Sequence, residues 1–447
     1  MEFFRYLKPV SYINSKIMKK IFIVILFIVS HPIYAQDYSP YLNRQKSLLS
    51  KNAQSLTIVS SYTGEGDENL NFYYLTGKDW ENSVLVLSPN SEDSVWVFTD
   101  EQANDYPAKL LPRGEFASFM EEEVNAYEKI NTVNNYNMVC SNLEIFRQVD
   151  HIRNINDQLV AMRAIKDSAE IEALREACKI TAEGLKSAFR QIKPGVSEQE
   201  LVTLMEEYFQ ENGSEGSSFY QASSGPHSVN VHFGATSRNT QEDEVVLFDI
   251  GAWYDNYTGD ISRTIPVNGE FTREQKEIYE VVLAAQKEAI QEMKPGVPFS
   301  KVKKVAEEKL INGLHKLGLV TNVDSDWQRK FFIQHGFYHF IGLDVHDVWY
   351  DYVETSENNI YQPGMVMTME PGVYFPKGMI DRIPERIEGQ VTKDEFENFS
   401  SEIESVYSRY AGMGVRIEDD ILITEEGNEI LTKEVPKAIE EIEKLMN

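Results

Sequence analysis

Short apolar runs separated by turn residues fill the amino-terminal third of the chain. Four such runs, each bounded by Gly, Asn, Asp or Ser, are typical of strands. Helical periodicity lies near the first run and after the last. The predicted strands cover residues 56–59, 72–75, 84–87 and 95–98, and the predicted helices cover residues 44–49 and 116–130. This pattern predicts a small α/β domain.

Longer helical patterns dominate the remainder of the chain. Residues 165–192 repeat apolar positions on one helix face and stop at a Lys-Pro-Gly sequence at 193–195. Residues 273–293 do the same and stop at a second Lys-Pro-Gly sequence at 294–296. The repeated ending hints at an internal duplication, although the two stretches share too little identity to establish one.

Length and charge bound the class of protein. A chain of 447 residues exceeds what one hydrophobic core usually serves, so we place a domain boundary near residue 163. This divides the chain into a smaller domain at residues 36–162 and a larger one at 163–447. The 43 basic and 71 acidic residues give a formal net charge of -28. A field of that sign repels phosphate backbones, so we expect no nucleic-acid partner.

The amino end has the pattern of a secretory signal peptide. Two lysines precede an unbroken apolar run at residues 21–29, and a small residue, Ala35, follows. A mature membrane span needs about 20 apolar residues, more than this run supplies. We expect residues 1–35 to be removed, with Met18 as an alternative start. The mature protein would then be periplasmic or extracellular, without a stable membrane span. A buried amino-terminal strand or helix is the alternative.

Two aspartates adjoin apolar strand patterns in the larger domain. Asp249 continues the run at residues 245–248, and Asp260 precedes a second strand pattern at residues 261–264. Burying a carboxylate is costly unless it is paired or bound to a metal. We therefore expect the two aspartates to face each other across a hairpin and share a cation. Structural aspartates in a turn are the alternative.

Three histidines lie within twelve residues of one another, at His335, His339 and His346. A single histidine in such a run is usually a hydrogen-bonded core residue. Three so close together, among glycines and aromatic residues, favour a functional site. Imidazole suits transition metals, whereas Mg²⁺ and Ca²⁺ prefer oxygen ligands alone.

Two later strand patterns also carry acidic residues. Residues 365–369 alternate between two faces and leave Glu370 at the strand end, before a Pro-Gly turn. Further on, the same alternation places Arg416, Glu418 and Asp420 on one face. A plain ion pair is the alternative for this last group. A centre for two cations explains more, because two ions can hold a bridging hydroxide and polarise a carbonyl.

Together these motifs resemble the Xaa-Pro aminopeptidases (aminopeptidase P), dinuclear metallopeptidases with the pita-bread fold. The matching stretches are residues 249–252, 260–264, 335–339, 342–348, 370–372 and 416–420, with residues 72–77 and 162–166 at the smaller domain and the junction. The resemblance implies an α/β (α+β) architecture, in which a smaller α/β domain precedes a pita-bread catalytic domain. It also implies peptide substrates with proline in the second position, cleaved before the proline by a metal-bridging hydroxide.

The resemblance implies a role for each candidate metal ligand. Asp249 would bind one metal through both oxygens, Asp260 and Glu418 would bridge the two metals, and His339 and Glu370 would complete the other site. Glu370 would also help to activate the bridging water. The implied cofactor is a pair of divalent ions, with Mn²⁺ suggested by the family. Sequence does not distinguish Mn²⁺ from Co²⁺, Zn²⁺ or Fe²⁺.

The resemblance also implies residues on the substrate side. His232 and His346 would lie beside the scissile bond and stabilise the tetrahedral intermediate, so they are predicted to be catalytic together with Glu370. His335 would lie close to them, and Arg416 would fix the geometry of the carboxylates. All four of these basic residues are predicted to belong to the substrate-binding set.

Other members of the same fold family are alternatives. A prolidase would cleave only Xaa-Pro dipeptides with the same metal centre. A non-catalytic pita-bread binding module is a more distant alternative, because such modules lose metal ligands. Methionine aminopeptidases lack the amino-terminal domain, and creatinase-like hydrolases lack the metals.

Two features depart from the expected pattern. Residues 380–410, between Glu370 and Glu418, form an acidic, helix-like insertion. We expect it to border the mouth of the active site or to mediate an oligomer contact, and we expect a homo-oligomer. A solvated surface excursion is the alternative. Trp349 stands where the family pattern suggests glycine.

Overall fold

The computed structural model describes residues 37–61, 70–89, 93–103, 105–123, 127, 129–133, 151–348 and 359–447. The predicted signal peptide and Trp349 lie outside these described residues. Within the described ranges, no helix is both long and apolar enough to cross a membrane.

The amino-terminal unit is built around a six-stranded mixed sheet. Its described elements are α1 (Ser39–Lys51), β1 (Ser55–Ser60), α2 (Leu70–Thr76), β2 (Val84–Leu87), β3 (Val95–Phe98), β4 (Lys109–Leu111), α3 (Phe116–Glu123), β5 (Lys129–Val133) and β6 (His151–Asn154). The strand order is β4-β3-β2-β1-β5-β6, with β1 antiparallel to β2 and parallel to β5. Strands β1 and β2 are buried along their whole length, as expected for central strands covered on both faces.

Two of the elements predicted for this unit are wrong. Residues 72–75, predicted as a strand, belong to helix α2, in which every side chain after Leu70 is buried. A run of four apolar residues is too short to show whether its repeat is that of a strand or of a buried helix. Tertiary packing therefore decides its conformation. The helix predicted over 116–130 ends at Glu123, and Lys129–Val133 forms strand β5.

The larger unit combines three sheets with a set of long helices. Its described elements are α4 (Asn156–Ala164), α5 (Ser168–Phe189), α6 (Glu198–Glu211), β7 (Ser217–Ser224), β8 (Val245–Tyr254), β9 (Tyr257–Thr258), β10 (Ile261–Pro266), α7 (Arg273–Glu292), α8 (Phe299–Lys316), α9 (Asp326–Phe332), β11 (Val366–Met369), β12 (Gly372–Tyr374), α10 (Lys393–Tyr410), β13 (Gly414–Arg416), β14 (Asp419–Ile423), β15 (Asn428–Ile430) and α11 (Ile439–Met446). The sheets have the strand orders β10-β8-β7, β11-β14-β15 and β12-β13, and β9 pairs with β8.

The two long helices predicted from periodicity are present and begin at capping boxes. Asp167 and Glu170 cap the start of α5, and Thr272 and Gln275 cap the start of α7. Helix α5 packs on α6 and on β8, whereas α7 packs on α8 and contacts β11 and β13. The buried faces of these helices meet the strands in one large apolar cluster. The cluster holds the strands that carry the candidate site residues.

The acidic insertion at residues 380–410 contributes to this core. Its helix α10 buries an apolar face against α9, where the rings of Phe399 and Trp327 have centroids 5.0 Å apart. At the end of α10, the Tyr410 hydroxyl donates a hydrogen bond of 2.7 Å to Glu277 of α7. The insertion is therefore an amphipathic helix with only its outer face in solvent.

Candidate active site

Strand pairing brings Asp249 and Asp260 together. Strands β8 and β10 are antiparallel with Asp249 opposite Ser262, and Asp260 lies one residue before β10. The predicted hairpin is therefore confirmed. Asp249 lies inside its strand, because β8 continues to Tyr254. Strand β8 continues because it is hydrogen-bonded on both sides, to β7 and to β10.

Glu418 lies close to Asp249 and Asp260, in the short break between two strands. It lies between β13 and β14, and its amide donates a 3.0 Å hydrogen bond to the carbonyl oxygen of Ser262. The Ser262 hydroxyl lies 2.7 Å from Glu418 Oε2 and 2.6 Å from Asp249 Oδ1. A hydroxyl has one proton to donate, so Ser262 can donate to only one of these two carboxylates at a time. No pattern in the sequence marks Ser262 as part of this group, although it lies two residues after Asp260.

His339 presents one ring nitrogen to the carboxylates. Its Nδ1–H donates to the carbonyl oxygen of Phe340 at 3.0 Å, which leaves Nε2 with a free lone pair. That Nε2 atom lies 3.5 Å from Asp260 Oδ2 and 3.8 Å from Glu370 Oε1. Burial, aided by the neighbouring His346, lowers the pKa of His339 to about 3. The imidazole is therefore neutral, which is the form that binds a metal.

The central cluster fits a divalent cation. Asp260, His339 and Glu418 each offer a ligand atom, and these atoms lie within 4.8 Å of one another. Asp260 Oδ1 and Glu418 Oε1 are buried without a hydrogen-bond partner. Burial and the mutual repulsion of the carboxylates raise the pKa of both acids well above the ordinary range. Buried oxygens of this kind are normally satisfied by a proton or a metal ion, and a mixed oxygen and imidazole set suits a transition metal.

Glu370 and Asp249 extend the cluster on either side. The amide of Glu370 donates to the carbonyl oxygen of Phe337 at 2.8 Å, which fixes the end of β11. Burial and the charge of Asp249 raise the pKa of Glu370 to about 8, against the opposing charge of Arg416. All five predicted metal ligands therefore line the same cleft.

Arg416 is buried behind these carboxylates. Its guanidinium forms an ion pair with Asp249 and donates to Ser262 Oγ at 2.7 Å, to the carbonyl oxygen of Val231 at 2.9 Å and to the Tyr374 hydroxyl at 3.0 Å. Each of its three nitrogens is thus engaged by a protein group. This geometry is consistent with the predicted role of fixing the carboxylates, and Arg416 also lines the cleft, so its predicted substrate-binding role stays a prediction.

His335 is likewise held by protein groups. The Tyr374 hydroxyl lies 2.9 Å from its Nε2 atom, and its Nδ1 atom contacts the carbonyl oxygen of Gly336. Burial and the charge of Arg416 lower the pKa of His335 to about 3, so the ring is neutral. Both ring nitrogens have partners within the protein and the residue lines the cleft, so its predicted substrate-binding role stays a prediction. Tyr374, which the sequence analysis missed, connects Arg416 to His335.

A cleft of about 630 Å³ opens above the carboxylates. His232 and His346 line it, and the ring centroids of His346 and His339 are 4.3 Å apart. Partial burial and the charge of Arg416 lower the pKa of His232. Aromatic residues that the sequence analysis did not single out complete the walls: Phe219, Tyr220, Phe233 and Tyr338.

The insertion at residues 380–410 contributes no residue to the described lining of this cleft. The expectation that it borders the active-site mouth stays a prediction. Its two ends must approach Glu370 and Glu418, but the apolar face of α10 directs the segment onto α9 and α7 instead.

Comparison with known proteins establishes the family. The profile of metallopeptidase family M24 matches residues 172–425, more than half of the chain. The chain belongs to metallopeptidase family M24. The predicted resemblance to this group of enzymes is thereby confirmed, and the matched range contains every predicted metal ligand of the M24 chain.

The M24 chain is similar to curated peptidases of two kinds. It is 35% identical over 291 residues to the Xaa-Pro aminopeptidase of Escherichia coli K12 and 34% identical over 315 residues to the human Xaa-Pro dipeptidase. Those alignments cover 64% and 65% of this chain but only 60% and 62% of the two relatives. The Xaa-Pro aminopeptidase of Haemophilus influenzae is 36% identical over 408 residues, covering 84% of this chain and 87% of the relative.

Solved structures of aminopeptidases share the fold over nearly the whole chain. The Pseudomonas aeruginosa aminopeptidase PepP superimposes with a TM-score of 0.79 at 26% identity, over 93% of this chain and 99% of that one. A zinc-substituted Escherichia coli aminopeptidase P in complex with product has a TM-score of 0.78 at 27% identity, over 92% and 98% of the two chains. The predicted fold, a pita-bread unit preceded by a smaller α/β unit, is confirmed.

Proposed function

We propose that this M24 chain is a metallo-aminopeptidase that hydrolyses the bond between an N-terminal residue and a following proline. One observation carries the proposal: Asp260, His339 and Glu418 converge, with unpartnered buried oxygens, at the base of an aromatic-lined cleft. The similarity to the Haemophilus influenzae Xaa-Pro aminopeptidase supports the bond specificity.

The proposed cofactor is a pair of divalent ions, with Mn²⁺ as the proposed metal. Asp249, Asp260, His339, Glu370 and Glu418 would hold them, since all five line the same cleft. When bound, such ions lower the pKa of a coordinated water and polarise a carbonyl oxygen. Arg416 and Ser262 hold Asp249 in place, which orients the carboxylates toward the cleft.

The protein's own groups handle the proton and the developing charge. Glu370 accepts the proton of the attacking water and returns it to the leaving nitrogen of proline, a role suited to a carboxylate that lines the cleft beside His339. His232 and His346 line the cleft and donate hydrogen bonds to the oxygen that becomes negative in the tetrahedral intermediate.

A dipeptidase that accepts only Xaa-Pro is the second candidate, favoured by the similarity to the human Xaa-Pro dipeptidase. The test is hydrolysis of Ala-Pro and Ala-Pro-Ala by the metal-loaded protein. We expect kcat/KM for the tripeptide to exceed that for the dipeptide by about tenfold or more, equivalent to at least about 1.4 kcal/mol of transition-state binding. The opposite preference supports the dipeptidase, and no cleavage of either peptide refutes both.

Export to the periplasm or the cell exterior is also part of the proposal. It is supported by the two lysines and the apolar run at residues 21–29, followed by Ala35. Mass spectrometry of the native protein should find an amino terminus at or near Gln36. A cytosolic protein that retains residue 18 or an earlier residue would refute this part.

A further inference from the structure

The loop between β7 and β8 carries His232 into the cleft and is held there by one side chain. The Gln221 amide nitrogen donates to the carbonyl oxygen of Asn230 at 3.3 Å, on one side of His232. The Gln221 amide oxygen accepts from the backbone N–H of Phe233 at 3.2 Å, on the other side. A single planar amide therefore brackets the backbone on both sides of this histidine.

Gln221 is itself firmly anchored. It lies in β7, is 3% exposed, and is paired in register with Asp249 on β8. The bracket thus ties His232 to the same pair of strands that holds a candidate metal ligand. The glutamine amide carries a donor and an acceptor on one planar group, which matches the opposed polarity of the two backbone partners.

Two carbonyl groups of the bracketed stretch have further hydrogen-bond partners. Arg416 donates to the carbonyl oxygen of Val231 at 2.9 Å, and the Ser223 hydroxyl donates to the carbonyl oxygen of Phe233 at 3.0 Å. The backbone around His232 is therefore fixed while its imidazole faces the cleft.

We propose that Gln221 is a positioning residue that sets the orientation of the His232 imidazole toward the scissile carbonyl. This inference rests on the proposed function, in which His232 donates to the developing oxyanion. Gln221 acts through His232 and needs no contact with the substrate.

The base of the loop is held independently, so the fold should survive loss of the bracket. Buried Glu198 accepts hydrogen bonds from the backbone N–H groups of Ser224 at 2.7 Å and Thr236 at 3.0 Å, and from the His227 ring at 2.9 Å. Replacing Gln221 by methionine, which has a similar length, removes both bracketing hydrogen bonds and leaves these contacts intact.

The test compares Gln221→Met with a matched control, Gln328→Met. Gln328 is also a buried glutamine that binds loop backbone, accepting from the N–H groups of Thr321 and Asn322, but it lies outside the described lining of the cleft. We expect Gln221→Met to lower kcat on Ala-Pro-Ala by about tenfold with KM within about twofold. Gln328→Met should leave both constants unchanged.

A double-mutant cycle separates positioning from a general structural role. If Gln221 acts through His232, Gln221→Met should have no further effect on kcat in the His232→Ala background. Multiplicative effects of the two substitutions would overturn the inference. An unchanged kcat in His232→Ala would overturn it as well.

A spectroscopic measurement tests whether the two Gln221 hydrogen bonds fix the His232 ring, without reference to turnover. In zinc-loaded protein labelled with ¹³C at histidine, the ring signal of His232 is assigned by its loss in His232→Ala. We expect Gln221→Met to broaden or split this signal. The signal of His315, which lies in α8 outside the described lining of the cleft, should stay unchanged. A wild-type His232 signal in Gln221→Met would overturn the inference. Failure of the wild-type protein to cleave Xaa-Pro peptides would refute the proposed function alone. The spectrum would still show whether Gln221 positions the His232 ring.

Discussion

Arg416 forms a buried ion pair with Asp249, although the two residues are 167 positions apart in the chain. The same guanidinium donates to Ser262 and to Tyr374. Strands β8, β10, β12 and β13 are therefore joined by one side chain behind the candidate metal ligands. The geometry of Asp249 depends on this contact.

Arg416→Lys should weaken metal binding. A lysine ammonium lacks the planar fork with which arginine reaches Asp249, Ser262 and Tyr374 together. We expect metal affinity to fall by about 10- to 100-fold, as is usual when a group that orients a ligand is lost. Titration of the metal-free protein followed by elemental analysis measures this. Arg273→Lys is the control, since Arg273 is exposed, and equal affinities in the two variants would contradict the prediction.

Removal of divalent ions should abolish turnover and lower the melting temperature. The reason is that Asp260 and Glu418 hold buried oxygens without hydrogen-bond partners. Ions that bind only the folded state stabilise it by about 2.7 kcal/mol at a free concentration of 100 Kd. Thermal unfolding and peptide hydrolysis, before and after chelation, test this. Full turnover in protein shown by elemental analysis to be metal-free would refute the metallopeptidase assignment.

Glu370→Gln and Asp260→Asn should both lose activity, but for different reasons. An amide cannot accept a proton from water, so Glu370→Gln should lose most of its kcat, by about 10² to 10⁴-fold, and retain a folded structure. Asp260 lies in the centre of the ligand cluster, so Asp260→Asn should lose metal as well as activity. Metal content and kcat, measured on both variants, distinguish the two cases. Rates near wild type in both variants would show that these roles are wrong.

The metal-free protein should lose stability as the pH rises from about 6 to 8. Burial raises the pKa of Glu370 to about 8 and that of Asp420 to about 7, above their ordinary values of 4.5 and 3.8. Between the ordinary and the raised values the folded state binds more protons than the unfolded chain. This contribution is complete below the ordinary pKa and is lost as the pH rises through the raised one.

Melting temperatures of chelated protein across this pH range provide the measurement. The decline should be smaller in metal-loaded protein, because the cation replaces the protons. It should also be smaller in chelated Glu370→Gln, which lacks one of the titrating groups. A melting temperature of the chelated wild type that stays flat or rises from pH 6 to 8 would contradict the expectation.

Phe399→Ala should destabilise the protein without altering which peptides it cleaves. Phe399 of helix α10 is 4% exposed and packs against Trp327 and Phe331. Loss of a buried phenylalanine side chain costs about 3 to 5 kcal/mol of unfolding free energy. Denaturant unfolding measures the loss, and kcat/KM for Ala-Pro-Ala relative to a longer Xaa-Pro peptide should be unchanged. A shift in that ratio would indicate that the insertion influences substrate choice.

The sequence by itself determined the elements in which apolar positions recur regularly. It also determined which acidic residues would need a partner when buried. Helices α5 and α7 were predictable because their periodicity extends over many turns and ends at Lys-Pro-Gly. Strands β2 and β3 were predictable from apolar runs between turn residues. Asp249 and Asp260 were predictable as members of a site, because a carboxylate beside an apolar strand pattern is costly to bury alone. Their proposed roles as metal ligands, and that of Glu418, come from the family resemblance.

Only the tertiary structure decided the remainder, because the deciding contacts join distant parts of the chain. The run at residues 72–75 is helical although its four apolar residues fit a strand equally well, since packing rather than periodicity selects its conformation. Ser262, Tyr374 and Gln221 carry no signal in the sequence, because a hydroxyl or amide acquires a role only from the groups placed beside it. Those neighbours include Glu418 and Arg416, up to 156 residues away, and strand pairing alone brings them together.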